Sequence, residues 1–354
     1  MLTKRALNRA LLARQLLLER ASIDAKTAVA QLAALQAQVP KPPYLALWSR
    51  LAAFTRDDLH AAIANRQLVR GTMMRATLHL ATVDDFMAWR AALQPVLART
   101  AQSIAKTEYD VDALCATARE FFDEQPRTFD ELRDEFPKGD ERLMAYAVRM
   151  HLPLLMVPDD STWSYPPNAA FAVAETFTRR KIGTNAAPHE LVLRYLDAFG
   201  PATPADFQNW SGLKGARSVF DELRPQLETF RDGKKRELFD VPNAPRPDEE
   251  TAAPIRLLPE FDSAILGHDD RSRIIADEHR PRVVTKNLRI LATILVDGFV
   301  AGTWAVKRKS KSATLTITPF VKLDKRTRAA LVDEGEKMVA FSEPGVSAID
   351  VKFD

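Results

Sequence analysis

The stretch RDDLHAAIANRQLVRGTMMRATLHL, residues 56–80, contains the pattern that decides the fold class. Residues 56–65 place apolar side chains at helical spacing, which predicts a short amphipathic helix. The following segment, 68–80, predicts extended chain with a hairpin that turns near Gly71 and Thr72. A helix followed by a hairpin is typical of a winged helix. Two further helices are expected upstream, one from Thr3 to about residue 20 and one that starts after Ser22 or Asp24.

The same order recurs twice downstream. Thr128 and Thr203 each precede a short helix, and further helices are predicted before them at 111–122 and 190–199 and after them at 140–150 and 214–223. Strands are predicted at 154–157 and 162–165 around the turn 158–160, and at 227–230 and 236–239 around Asp232-Gly233. Because repeats indicate architecture directly, the sequence predicts three tandem winged-helix domains at 1–107, 108–183 and 184–241.

The last hundred residues differ in kind. Residues 241–254 contain four prolines and predict a linker. Beyond them, segments 280–286, 290–296, 299–307 and 314–319 are β-rich, with an Asp297-Gly298 hairpin between two of them. We therefore expect a C-terminal α+β region at 254–354, in a protein that is mainly α with β.

Composition excludes several functional classes. The chain has 354 residues with only 12 glycines, which disfavours glycine-loop nucleotide folds, and its one cysteine, Cys115, cannot form an internal disulfide. The six histidines show no metal-ligand spacing, so no metal is expected. The N-terminus does not resemble a secretory signal, and the longest apolar run, 290–296, is too short to span a membrane. A cytoplasmic protein is predicted, and its net charge of +3 means that nucleic-acid binding must depend on local patches.

Gln36 and Gln38 are the candidate catalytic residues. Pro40 disfavours helical backbone at Val39, so the chain is expected to unwind here, and in extended geometry both glutamines share one face. Two neutral amides on one face can hold a water molecule by donating and accepting hydrogen bonds. The alternative is that they are two polar residues at a frayed helix end.

Three residues of the predicted hairpin are candidate DNA contacts. Arg75, Thr77 and His79 alternate along the expected strand and can therefore project together toward DNA. The alternative for His79 is a structural histidine whose hydrogen bonds are satisfied within the protein.

A basic cluster lies after the strand predicted to end at Val306. Lys307, Arg308 and Lys309 would form a hairpin tip suited to phosphate contacts, or else a solvated turn. Glu260 and Asp262 invite a two-carboxylate mechanism, but they have no visible partner, which favours packing or folding roles.

Several segments resemble the AlkZ-like winged-helix DNA glycosylases, of which the YcaQ proteins are a sister branch. The similar segments extend over nearly the whole chain: RALNRA (5–10), LARQLL (12–17), LQAQ (35–38), LWSR (47–50), MRATLHL (74–80), LLPEFD (257–262) and GFVAGTW (298–304). The resemblance implies three tandem winged helices around a concave DNA-binding face and a Gln-apolar-Gln catalytic motif, which Gln36 and Gln38 match. The sister branch has aspartate at the second position, so Gln38 is typical of the AlkZ side.

This resemblance implies a monofunctional DNA N-glycosylase. Its expected substrate is duplex DNA with N7-alkylated purines, including bulky or crosslinked adducts, and its product is an abasic site. No metal or organic cofactor is expected, and the protein would act as a monomer in the cytoplasm, associated with the nucleoid. One alternative is a non-catalytic winged-helix regulator, from which the two amides at Gln36 and Gln38 distinguish the enzyme. Another is a protein-interaction scaffold, which the small net charge leaves open.

Overall fold

A computed structural model describes residues 1–104, 109–285 and 289–354 of the protein. Its architecture is mixed α/β. The helices are α1 Lys4–Arg14, α2 Ala25–Gln31, α3 Lys41–Trp48, α4 Arg56–Ala64, α5 Val83–Ile104, α6 Val111–Glu124, α7 Phe129–Asp134, α8 Glu141–His151, α9 Ala174–Thr178, α10 His189–Phe199, α11 Pro204–Ser211, α12 Ala216–Leu223, α13 Ser263–Leu266, α14 Arg280–Val283 and α15 Lys325–Ser342. The strands are β1 Leu35–Gln36, β2 Leu68–Thr72, β3 Leu78–Thr82, β4 Leu154–Met156, β5 Phe171–Val173, β6 Glu228–Arg231, β7 Glu237–Asp240, β8 Arg256–Leu258, β9 Thr293–Val296, β10 Phe299–Lys309, β11 Ser312–Pro319 and β12 Ala348–Phe353.

Threonine caps set the starts of three equivalent helices. Thr55, Thr128 and Thr203 each form a capping box with an acidic residue three positions later, at the starts of α4, α7 and α11. The two caps predicted at Thr128 and Thr203 are therefore confirmed. Each of these two helices is flanked by helices and followed by a pair of strands, in the predicted order, while the division into three winged helices stays a prediction.

A five-stranded sheet of order β1-β3-β2-β4-β5 contains the first two hairpins, β2–β3 and β4–β5. The turn between β2 and β3 lies at residues 73–77, so its predicted position at Gly71 and Thr72 is wrong. Gly71 is instead inside β2, opposite Leu155 of β4. A larger residue would not fit at this position, because a Cβ would lie only 2.5 Å from the Phe86 ring. The glycine permits close packing of the sheet on α5 rather than a turn.

The second hairpin also differs from the prediction. Its return strand is β5, while residues 162–165 form a turn in which the Ser164 hydroxyl contacts the Tyr44 hydroxyl and the His60 ring. This tertiary hydrogen bonding holds the segment out of the sheet. The third hairpin, β6–β7, turns at Asp232-Gly233 as predicted.

The C-terminal region forms a second sheet of order β12-β11-β10-β9-β8, against which α15 packs. The Asp297-Gly298 hairpin is confirmed between β9 and β10. The strand predicted at 280–286 is wrong for residues 280–283, which form α14; Pro281 occupies its first turn, where a missing N–H costs nothing. The end of that prediction, 286, lies outside the described residues.

Helix α1 connects the N-terminal and C-terminal parts of the chain through buried polar side chains. Thr3 caps it as predicted, but it ends at Arg14 rather than near residue 20, because Leu16 adopts a φ of 56°. The Arg14 guanidinium donates twice to the Asp240 carboxylate at 2.7 and 2.8 Å, and Asn8 donates to the carbonyl oxygens of Arg273 and Gly298. Together with the donation of Arg14 Nε to the Pro245 carbonyl at 3.3 Å, these bonds fix the end of β7, the linker and the turn before β10 against α1. Among the described helices, none is both long and apolar enough to cross a bilayer.

Candidate active site

The Gln36–Gln38 segment is extended and belongs to the first sheet. Gln36 lies opposite His79 in the β1–β3 pair, and the Ala37 N–H donates to the Leu78 carbonyl at 2.8 Å. Ala37 is 1% exposed, while Gln38 is exposed. Helix α2 ends four residues before the strand, so Gln36 is not at a frayed helix end. The unwound backbone expected before Pro40 is present.

Hydrogen-bond chemistry fixes the orientation of both amides. Arg75 Nη2 donates to Gln36 Oε1 at 2.6 Å, and the Leu78 N–H donates to Gln38 Oε1 at 3.3 Å. Both partners can only donate, so the glutamine atom that faces each of them must be the carbonyl oxygen. Each amide keeps one acceptor lone pair and two N–H donors, which is the capacity needed to hold a water molecule.

Arg75 lies in the turn rather than on the strand, with a φ of 51°. Besides Gln36, its guanidinium donates to the Trp210 carbonyl at the end of α11. Burial lowers the Arg75 pKa to about 10, with a smaller effect from repulsion by Arg271. Arg75 is still a cation at neutral pH, but its donors point into the protein and hold Gln36.

The predicted projection of Arg75, Thr77 and His79 from one strand is wrong. The Thr77 hydroxyl donates to the Met74 carbonyl within the turn. His79 is 2% exposed, and its Nδ1 lies 3.0 Å from the Thr77 carbonyl. Burial, and then repulsion by Arg75, lower the His79 pKa to about 3, so the ring is neutral. This geometry favours the structural alternative for His79.

Arg70 stabilises the Gln36–Gln38 segment, and sequence reasoning did not identify it. It is 3% exposed on β2, and it donates to the Ala37 carbonyl at 2.8 Å and to the Gln38 carbonyl at 3.3 Å. Its guanidinium lies 4.9 Å from the centre of the Tyr165 ring. Arg70 therefore holds the backbone of the segment that presents the two amides.

Gln38 stands at the rim of a cleft of about 320 Å³ between the first sheet and helices α7 and α8. We call this the arginine cleft, after the four arginines that line it: Arg70, Arg133, Arg142 and Arg149. Phe129 and Phe171 form part of its wall, with their rings edge to face at 4.7 Å. The candidate catalytic segment therefore adjoins a positively charged, partly aromatic surface.

The basic cluster of the C-terminal region lies at the distal end of the β10–β11 hairpin, but the strand does not end at Val306 as predicted, because β10 continues through Lys309. We call Lys307, Arg308 and Lys309 the basic tip; all three are exposed. Since side chains alternate along a strand, Lys307 and Lys309 share one face and Arg308 points to the other, toward Glu343 at 3.8 Å.

Comparison with known proteins identifies the family. A family model for AlkZ-like DNA glycosylases matches residues 29–341. The chain belongs to this family. It is therefore a DNA glycosylase, which decides against a non-catalytic regulator and against a scaffold.

Two relatives of this AlkZ-like glycosylase come from Streptomyces sahachiroi. An interstrand DNA cross-link repair glycosylase is 27% identical over 370 residues, which cover 96% of each chain. The solved structure of the DNA glycosylase AlkZ superposes with a TM-score of 0.78 at 22% identity and covers 100% of both chains, so the two share a fold.

The two carboxylates that invited a catalytic proposal have structural partners in this glycosylase. Asp262 accepts two hydrogen bonds at 2.8 Å from Arg50, and both side chains are fully buried. Glu260 accepts from Arg289 at 2.6 Å. Both interactions agree with the folding role that the sequence favoured. Within the ranges 1–104, 109–285 and 289–354, no group of His, Cys, Asp or Glu could hold a metal ion.

Proposed function

We propose that this AlkZ-like glycosylase is a monofunctional N-glycosylase that excises N7-alkylated purines, including bulky or crosslinked adducts, and leaves an abasic site. The observation that carries the proposal is the pair of neutral amides, Gln36 and Gln38, whose oxygen atoms are oriented by fixed donors on an exposed edge of the first sheet. The curated relative, named for interstrand cross-link repair, supports adducts of this size.

The chemistry of a cationic base suits two neutral amides. Alkylation at N7 gives the purine a positive charge, so cleavage of the glycosidic bond releases a neutral base and needs little help from a general acid. The remaining task is to place water at C1′ of a sugar with oxocarbenium character. Gln36 and Gln38 would hold that water by positioning, with no titrating group involved.

The exposed position of Gln38 fits bulky substrates. An enclosed base pocket would exclude a crosslinked adduct, whereas Gln38 lies on the surface and can approach a sugar whose base stays outside. No lysine is among the described residues that line the arginine cleft, which supports hydrolysis over Schiff-base chemistry.

DNA contacts are proposed at the basic tip and beside the motif. Lys307 and Lys309 present their ammonium groups on one face, which suits two phosphates. Arg75 donates to Gln36 from the turn, and we propose that it acts on DNA through that residue, whereas Thr77 and His79 stabilise the turn and the sheet. A single protomer contains all of these residues, and we propose that it acts as a monomer on duplex DNA.

The test is base excision under single-turnover conditions. Duplex DNA with one N7-methylguanine is incubated with excess protein, and abasic sites are cleaved with alkali. Gln36→Ala and Gln38→Ala should each slow excision, and the double variant should slow it further, while DNA affinity changes less than twofold. If the double variant excises N7-methylguanine at the parental rate, the catalytic assignment is wrong.

A further inference from the structure

The arginine cleft collects positively charged side chains from several elements beside the candidate catalytic segment. Arg142, Tyr146 and Arg149 occur at spacings of four and three residues, so they lie on one face of α8. Arg133 joins them from α7 and Arg70 from β2. Three separate elements thus bring guanidinium groups to a single cleft, and Gln38 lies at its rim.

Most of this charge has no carboxylate partner. Among the described residues, no carboxylate lies within 4.0 Å of the guanidinium groups of Arg70, Arg142 or Arg149; only Arg133 is paired, with Asp130. Arg149 donates to the Thr72 hydroxyl at 3.2 Å and packs on the rings of the cleft wall. Of these arginines Arg70 is buried, and buried charge without compensation is costly, so the cleft is suited to an anion.

Arg70 adds a buried positive charge to the wall of the cleft. Its Nε and Nη2 donate to the backbone of the motif, but its Nη1 is buried and has no hydrogen-bond partner in the described structure. Burial lowers the Arg70 pKa to about 10, and repulsion by Arg149 contributes to the shift. Arg70 therefore contributes its charge, rather than a directly accessible donor, to the potential in the cleft.

The sign of the charge decides which part of DNA enters. An N7-alkylated purine is cationic and would be repelled by the arginines, so the lesion base itself is excluded. A phosphodiester is anionic, and its oxygens match the planar fork of a guanidinium. The rings and prolines of the wall can pack against the adjoining sugar.

We propose that the arginine cleft binds a backbone phosphate of the lesion-containing strand and so holds the sugar of the lesion over Gln36 and Gln38. This inference rests on the proposed glycosylase function and adds the element that positions the substrate. Arg142 and Arg149 donate to the phosphate directly, while Arg70 attracts it through its buried charge and holds the catalytic segment.

The test combines one arginine variant with neutral phosphates in the DNA. Arg142 is exposed, forms no ion pair among the described residues and lies on a helix, so Arg142→Gln should fold normally. The matched control is Arg326→Gln, an equally exposed arginine on α15 outside the cleft. The probes are duplexes that contain 2′-fluoro-N7-methylguanosine, which resists cleavage of the glycosidic bond, with one methylphosphonate placed at each linkage in turn.

We expect one linkage near the lesion where the methylphosphonate weakens binding of the parent protein about tenfold. Arg142→Gln should weaken binding to unmodified DNA about tenfold and make that linkage insensitive to the methylphosphonate, while Arg326→Gln behaves like the parent. The slope of log affinity against log salt should decrease by about one for Arg142→Gln.

Two results would overturn the inference. One is a methylphosphonate profile of Arg142→Gln that matches the parent; the other is specific competition by inorganic phosphate, at matched ionic strength, without any sensitive linkage, which would mean that the cleft takes a free anion. Both are binding measurements on an uncleavable duplex. Failure of the proposed function is a different result, the absence of abasic sites from natural N7-methylguanine DNA.

Discussion

Replacement of Arg75 by methionine tests whether the orientation of the Gln36 amide limits the reaction. The variant keeps the apolar part of the side chain but removes the donor that lies 2.6 Å from Gln36 Oε1. A hydrogen bond from a charged donor contributes about 1.5–3 kcal/mol. Without it the amide rotates freely about its last torsion, which has a broad energy profile.

The structure allows an estimate of the rate that would be lost. A catalytic group displaced by about 1 Å loses roughly 100-fold in rate, and a partial loss of orientation costs less. We therefore expect Arg75→Met to slow single-turnover excision of N7-methylguanine by about 10- to 100-fold, or about 1.4–2.7 kcal/mol in activation free energy. DNA affinity should change little, because the guanidinium points into the protein.

The matched control is Arg99→Met. Arg99 is also partly buried and donates at 3.1 Å to the Gly212 carbonyl, close to the Trp210 carbonyl that Arg75 contacts, but it does not contact Gln36. Both variants should lose similar thermal stability, while only Arg75→Met should lose rate. Equal excision rates for the two variants would refute the positioning argument.

A spectroscopic measurement provides a second check on the same variant. Arg75 is the second cause of the low His79 pKa, after burial. Removal of its charge should raise the His79 pKa above about 3 while burial keeps it below the ordinary value near 6.5. NMR titration of the imidazole would measure this shift, and an unchanged pKa would mean that the two side chains do not interact.

Three further predictions concern binding, stability and pH. Replacement of the basic tip by three alanines should lower DNA affinity and reduce its salt slope by about two, because Lys307 and Lys309 face the proposed phosphates, whereas an unchanged slope would mark the tip as solvated surface. Asp262→Asn should lower the free energy of unfolding in urea by about 3–5 kcal/mol, because it leaves Arg50 charged and buried without its partner; a loss below about 1 kcal/mol would contradict this. The excision rate should be flat between about pH 6 and 9, since amides do not titrate, and should fall only near pH 10, where Arg75 begins to lose its proton. A bell-shaped profile centred near neutral pH would indicate a general base instead.

Local signals made the order of elements predictable from the sequence. Thr128 and Thr203 start helices by capping chemistry that involves residues only three positions away, and the Asp232-Gly233 and Asp297-Gly298 turns are equally local. The predicted return strand of the second hairpin is wrong because tertiary contacts decide which segment pairs with β4. Ser164 bonds to Tyr44, 120 residues earlier, and this removes residues 162–165 from the sheet.

The candidate site was only partly predictable for the same reason. Pro40 indicated that the chain around Gln36 and Gln38 is extended, since that restriction is a property of neighbouring residues. The donor that orients Gln36 comes from a turn with positive φ at Arg75, which no local preference of arginine favours. The arginine cleft joins segments that are far apart in the chain, although the spacing of Arg142, Tyr146 and Arg149 on α8 was a visible sign of one basic face.

The surroundings of Gln38 favour a neutral amide over a carboxylate at this position. Arg70 holds the backbone at Gln38 and lines the cleft that Gln38 adjoins. In this chain a carboxylate at position 38 would be attracted to the guanidinium groups of Arg70 and Arg149, which would turn the side chain toward the cleft and away from the water that we propose it holds. The same ion pair would neutralise the guanidinium charge that we propose binds the backbone phosphate. An amide has too little attraction for the guanidinium groups to be drawn in, so the water and the phosphate can occupy adjacent positions without competing for one side chain.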